Sequence, residues 1–263
     1  MAGVNRARVR ALRADEERRF LDAHPRSRAL FERTKATLVG GVPMNWMQRW
    51  PGGVPIFVAE ASGSHFVDVD GHSYIDFCLG DTGAMTGHAP AATVDAIARQ
   101  ARRGITTMLP TEDAIAVGAQ LERRFGLPFW QIAMTATDAN RFVIRLARHA
   151  TGRRKILVFN WCYHGTVDET LAILSDGRVR SRPGGIGPPV DPATTTKIVE
   201  FNDVDGLELA LADRDVACVL AEPALTNIGI VAPEPGFHDF LREITRRTGT
   251  LLVIDETHTI CVG

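Results

Sequence analysis

The feature that most limits the fold is a set of short apolar runs that do not alternate: FWQIAM, KILVFN, KIVEF, VACVLAE and TLLVIDE. A strand with one wet face reads apolar and polar by turns, whereas a strand covered on both faces is apolar throughout. Apolar positions recur at helical spacing in ATVDAIARQA and in EDAIAVGAQLERRF, and helices fit between most of the runs. The pattern implies a parallel or mixed sheet with crossover helices, an α/β domain.

Ahead of that domain the chain reads differently. Residues 5–20 are rich in arginine and acid and fit a solvated helical face. PIFVAEASGSHFVDVDGHSYIDF then offers β-rich runs parted by Ala-Ser-Gly-Ser and by the turn dipeptide Asp70-Gly71, which predicts an antiparallel meander of about three strands. The expected organisation is a helical segment and meander over residues 1–90, then a large α/β domain over 91–263. Between a helix expected near 167–174 and the strand near 197 lies DGRVRSRPGGIGPPVDPATTT. Its Gly and Pro content argues against a regular element, leaving an active-site loop or a surface excursion.

Thirty basic residues stand against 31 acidic ones, so nothing in the charge points to nucleic acid or an anionic membrane as partner. A small molecule is the expected ligand. Cys78, Cys162, Cys218 and Cys261 are widely spaced and form no C-x-x-C, which fits reduced thiols and a cytoplasmic protein. The N-terminal NRARVRALR is followed at once by Asp15, Glu16 and Glu17, unlike a transit peptide.

In open α/β sheets ligands collect beyond the carboxyl ends of the strands, and four polar clusters fall there. Thr135-Ala136-Thr137 sits where a strand gives way to a helix; the residues read either as an N-cap or as a phosphate cup of backbone N–H groups and hydroxyls. Tyr163 and His164 follow KILVF, either as a packed aromatic turn or as a stacking face with a proton carrier. Glu222, with Asn227 after it, and Asp255 end two further apolar runs. A carboxylate over the end of a sheet is costly unless solvated, paired or facing a cation. A metal held with His258 and Glu222 lacks the H-x-x-x-H spacing or tight acid cluster it needs, so no metal is expected. A protonated ring nitrogen fits better, because pyridoxal phosphate needs a phosphate cup, a stacking aromatic, an acid at the pyridine nitrogen and a lysine.

The ordered set D-x-D-G-x-x-Y-x-D-F, G-H-x-P, T-x-T-D-A-N, Y-H-G, E-P and I-D-E resembles the class III aminotransferases, and within them the branch similar to glutamate-1-semialdehyde aminomutase. The resemblance implies the large domain of fold type I pyridoxal phosphate enzymes and an aminotransferase or aminomutase working as a homodimer. It makes Thr135, Ala136 and Thr137 the phosphate cup, Tyr163 the stacking ring, and His164 its support. Glu222 and Asn227 would line the pocket, and Asp255 would bind the pyridinium nitrogen. Where that family commonly has valine two residues past the acid, this chain has Thr257, and Ala136 replaces a glycine. Trp46 and Arg49 stand in a segment that borders the site in the family; Arg49 is either a substrate-carboxylate receptor or a surface arginine resting on Trp46 or Trp50.

Lys35, Lys155 and Lys197 all lie outside the context of the family's Schiff-base lysine, which follows the I-D-E strand at some distance. The expectation is a chain that stops short of that lysine. Two other readings stay open: a non-catalytic module for cofactor binding or dimerisation, and a nucleotide-dependent oxidoreductase. Against the latter, Gly184-Gly185-Ile186-Gly187 lies in a Pro-rich loop and no G-x-G-x-x-G follows an early strand.

Overall fold

The computed structural model describes residues 4–49 and 51–260, which divide into two compact units at residues 109 and 110. In the first unit, α1 (Arg6–Ala23) starts on Asn5, whose side-chain oxygen accepts the Arg8 N–H at 3.1 Å. α1 buries none of its residues, and its Arg13–Glu17 and Arg19–Glu16 pairs are exposed, so they hold it only weakly. α2 (Pro25–Thr34) opens on a proline and has no side-chain cap from its own N-cap residue. Asp70 takes that place from the Asp70-Gly71 turn. Its carboxylate accepts from the N–H of Arg26 at 2.7 Å, the N–H of Ser27 at 2.9 Å and the Ser27 hydroxyl at 2.8 Å. The charge also meets the positive end of the helix.

The meander is β1 (Val58–Ser62), β2 (His65–Asp68) and β3 (Ser73–Ile75), antiparallel in that order. α3 (Ala91–Ala101) follows it. Trp46 and Arg49 occupy a short 3-10 turn, Asn45–Arg49, both exposed, with the Trp46 ring N–H on the Met44 sulfur. Trp50 lies outside the described residues.

The second unit runs through α4 (Asp113–Phe125), α5 (Ala136–Thr151), β4 (Lys155–Phe159), β5 (Ala172–Ser175), β6 (Arg178–Ser181), β7 (Thr196–Val199), α6 (Val204–Leu211), β8 (Val216–Ala221), α7 (Phe237–Thr248) and β9 (Leu251–Ile254). Its main sheet has the order β7-β4-β8-β9 with every pairing parallel. β8 is buried along its whole length and β4 along all but its first residue, which is why neither run alternates. Ile144 and Ala147 of α5, Leu207 and Leu211 of α6, and Leu241 and Ile244 of α7 fill the same core. All four strands point their carboxyl ends the same way, and a polar residue follows each: Asn160, Glu200, Glu222 and Asp255.

Two expectations need correcting. FWQIAM is not a strand: residues 129–134 take no regular structure, and Phe129, Ile132 and Met134 are exposed. A strand exists only through a ladder partner, and among the described residues none is offered to this run. The helix expected near 167–174 is instead a 3-10 turn, Asp168–Thr170, leading into the antiparallel β5-β6 hairpin. Asp176 and Gly177 turn it, both at positive φ (51° and 70°), the backbone a two-residue hairpin loop requires. The Gly- and Pro-rich stretch thus begins as regular structure. Among the described residues Cys78, Cys162 and Cys218 form no disulfide, and no helix is long and apolar enough to cross a membrane.

Candidate active site

Asp255 leaves the end of β9 with its N–H on the Ala221 carbonyl, so it sits beside the carboxyl end of β8 with its side chain nearly closed to solvent. Its carboxylate has about four acceptor positions, and this fold fills them from three sides. Oδ2 accepts from Asn140 Nδ2 at 2.9 Å and meets His164 Nδ1 at 2.8 Å. Oδ1 accepts the Thr257 N–H at 3.0 Å and the Thr257 hydroxyl at 2.6 Å.

Burial alone would raise the Asp255 carboxyl, but the bonds from His164, Thr257 and Asn140 outweigh it and hold the acid well below the usual carboxylate range. Burial likewise opposes charge on His164, yet the bond to Asp255, with a contribution from Cys162, pushes the imidazole well up. Such a pair has a definite pH signature. A carboxylate held low contributes stability in full above its ordinary 3.8, and an imidazole held high contributes in full below its ordinary 6.5. Stability of the chain should therefore plateau between these values and then decline as pH rises toward about 10, where the His164 contribution is gone. Urea midpoints measured across that range check it: His164→Asn should flatten the decline, and an unchanged slope would remove His164 as its source.

Asn140, the last residue of the T-x-T-D-A-N motif, joins this candidate site although its sequence context assigns it no role. Its amide bridges Asp255 and the His164 carbonyl, the latter at 3.2 Å. It shares the buried stripe of α5 with Ile144 and Ala147, and an amide on an apolar stripe was the available signal.

Thr135 is the N-cap of α5: its hydroxyl accepts the Asp138 N–H at 3.1 Å. The next two amides, of Ala136 and Thr137, have no partner inside the helix and lie at its positive end. Thr137 turns its hydroxyl to the following loop, where Oγ1 accepts the Thr166 N–H at 3.2 Å. That loop comes close because Gly165, at φ +78°, has no side chain to block it. Tyr163 stands half-exposed beside the buried His164. Trp161 holds φ +63°, unusual for a bulky residue, beneath the Arg182 guanidinium 5.5 Å from its ring. Asn227 is exposed and pins this turn by donating to the Trp161 carbonyl at 3.1 Å. Glu222 is buried at the end of β8; one oxygen accepts the Thr226 N–H and hydroxyl, and the hydroxyl also meets His258 Nδ1 at 2.8 Å.

Asp255, His164 and Thr257 are thus in direct contact, Thr137 is bonded to the loop of Tyr163 and His164, and Asn227 braces the same loop. Trp46 and Arg49 belong to the other unit. Neither lysine of this unit joins the group: Lys155 and Lys197 lie at the opposite ends of their strands, paired with Asp215 at 2.8 and 2.7 Å; Lys35, in the first unit, pairs with Glu32.

Residues 46–261 match the model of the family described as Aminotransferase class-III. The glutamate-1-semialdehyde 2,1-aminomutase of Methanocaldococcus jannaschii is 35% identical over 240 residues, 89% of this chain and 55% of that protein. The crystal structure of a glutamate-1-semialdehyde-aminomutase from Pseudomonas aeruginosa PAO1 superposes with a TM-score of 0.95 at 55% identity, covering 99% of this chain and 58% of the other. A lysine-to-alanine variant of it was solved in complex with PMP. An omega-transaminase from Sphaerobacter thermophilus gives a TM-score of 0.79 at 33% identity over 88% of this chain and 55% of its own. The chain spans a little over half the length of each of these relatives.

Proposed function

The chain belongs to the class III aminotransferases, and from that premise we propose that its second unit binds pyridoxal phosphate, within a protein that moves an amino group on a small amino acid, amino-aldehyde or keto acid. The observation that carries the reading is Asp255: a buried acid, held ionised by Asn140, His164 and Thr257 at the carboxyl end of the sheet. The residues around it suit the cofactor's parts. The amides of Ala136 and Thr137 at the start of a 16-residue helix suit a phosphate, and Thr135 shapes that end as its cap. Tyr163, half-exposed on the loop that Gly165 brings against α5, offers a face to a planar ring. Bound pyridoxal phosphate supplies an electron sink for charge developing beside a substrate amine. Asp255 keeps a ring nitrogen protonated, and His164 keeps Asp255 oriented and charged. Glu222 and Asn227 hold the walls through Thr226 and the Trp161 carbonyl.

The substrate class follows the aminomutase from Pseudomonas aeruginosa, and the reading includes pairing of two copies. α3 and α4 bury none of their residues yet carry Val94, Ile97, Ile115 and Val117, surface of the kind a second chain covers. Since both lysines of the second unit, Lys155 and Lys197, lie at the far ends of their strands, that unit holds the cofactor without a covalent link to them.

Pyridoxamine phosphate tests this, because it needs no lysine adduct. Equilibrium dialysis should find it bound to the 263-residue chain, with affinity falling about tenfold or more in Asp255→Asn, the loss expected of a charge-assisted bond. No binding, or binding indifferent to that change, would refute the reading. Thr257 gives a milder prediction. All four acceptor positions of Asp255 are filled, so a ring N–H must share Oδ1 or turn the Thr257 hydroxyl away. Thr257→Val removes that competitor, and affinity should hold or rise by up to about fivefold, the worth of one hydrogen bond. A marked fall would place the hydroxyl on the ligand instead.

A further inference from the structure

A second cluster of titratable groups lies in the first unit, where α1 hands over to α2 beside the end of β2. His24, Asp68 and His72 each present one ligand-type atom, all within 4.8 Å of one another. Asp68 Oδ2 is the hub, with the Tyr74 hydroxyl at 2.9 Å, His72 Nδ1 at 3.0 Å and His24 Nε2 at 3.4 Å. The Tyr74 oxygen also lies 2.8 Å from His24 Nε2.

The protons in this cluster do not match its contacts. His24 Nδ1 lies 2.7 Å from the Phe20 carbonyl, which can only accept, so Nδ1 carries a proton and in a neutral ring Nε2 is a bare lone pair. Tyr74 has one proton for two acceptors, His24 Nε2 and Asp68 Oδ2. Whichever takes it, the other contact sets lone pair against lone pair. The contacts lack one cationic group at His24 Nε2, and a metal ion bound there would supply it.

The geometry favours the ion. Ligands about 2.0–2.1 Å from a four-coordinate metal stand roughly 3.3 Å apart, and the spacings around Asp68 Oδ2 lie near that value. The exposed His72 side chain can close the widest gap by rotation. The outer contacts are also those that orient metal ligands: His24 gives its other N–H to a backbone carbonyl, and Asp68 Oδ1 is fixed by the N–H groups of Asp70 and His72 at 2.9 and 2.8 Å. His24 and Asp68 are buried, while His72 leaves a way in. Two imidazole nitrogens and one carboxylate suit zinc and its neighbours rather than magnesium or calcium.

We infer that His24, Asp68 and His72 bind one divalent transition-metal ion of the zinc type, with the Tyr74 hydroxyl donating to Asp68. The test is competition of the metal-stripped 263-residue chain with a chromophoric chelator for Zn2+, alongside Co2+ absorption and thermal unfolding. One zinc per chain is expected, with a four-coordinate Co2+ spectrum and a melting temperature that rises with zinc. His72→Gln, whose amide can still donate to Asp68, should weaken zinc at least about tenfold and remove the thermal shift, with each protein compared against its own metal-free unfolding. No zinc bound at about 100 µM, or zinc binding that His72→Gln leaves alone, overturns the assignment. So does stabilisation of the wild type by acid with none by zinc, which would give the missing charge to a proton on His24.

Discussion

Replacing Asp255 with alanine is expected to cut amino transfer by the protein that carries this chain at least about a hundredfold to a thousandfold, the scale seen when one preorganised electrostatic group is removed from a reacting centre. Stability should fall with it. His164 and Asn140 would keep polar atoms buried against nothing, and His164 would lose the partner that favours its charge; breaking such a buried pair costs about 3–5 kcal/mol. Because an unfolded protein is also inactive, Asp255→Asn separates the two effects. Its amide keeps the shape and still accepts from Thr257, but on the other side it sets N–H groups against those of Asn140 and His164, or else turns and fails Thr257. A variant that unfolds close to the wild type, yet binds pyridoxamine phosphate far more weakly, would tie the loss to the charge. Equal affinity in Asp255→Asn would mean that this acid serves only the fold.

What could be read from the sequence follows from where each element gets its partners. β4, β7 and β8 were legible because burial on both faces forces an apolar run, and that burial is local to the run itself; β9 is as apolar in sequence although both its ends are exposed. FWQIAM carries the same signal, but a strand also needs a neighbour, and composition does not say whether one is present. The β5-β6 hairpin was hidden for another reason: Asp176-Gly177 is a plain turn signal, but the Gly- and Pro-rich window after it coloured the whole stretch. At the site, Asp255 was legible as an acid where a buried run ends. Asn140 was not singled out, although an amide in phase with Ile144 and Ala147 is a polar group on a core stripe. The grouping of His24 with Asp68 and His72 lay beyond any spacing rule, since α1 and the meander bring them together only in the fold.

Gly165→Ala is expected to be the most disruptive small change in the loop of Tyr163 and His164. A β-carbon there would lie 2.0 Å from Thr137 Oγ1, 3.0 Å from Thr137 Cβ and 3.1 Å from Thr137 Cα, and the last of these is helix backbone that cannot turn aside. The residue also holds φ +78°, where a side chain costs about 1–2 kcal/mol before any clash. With overpacking the total should reach about 2–4 kcal/mol, read as a shift in the urea midpoint. The consequence for the site is larger than the number. The Thr166 N–H bond to Thr137 would be lost, and with it the seat that holds Tyr163 and His164 against the start of α5, so affinity for pyridoxamine phosphate should drop as well. A second change distinguishes contact from backbone. Thr137→Ala removes the oxygen that is hit first, so Gly165→Ala combined with Thr137→Ala should recover part of the stability and leave the cost of the positive φ. If Gly165→Ala alone were harmless, the loop would not be seated on α5. If the pair recovered stability but not affinity, the Thr137 hydroxyl would matter to binding itself, through its bond to the Thr166 N–H or by reaching the ligand.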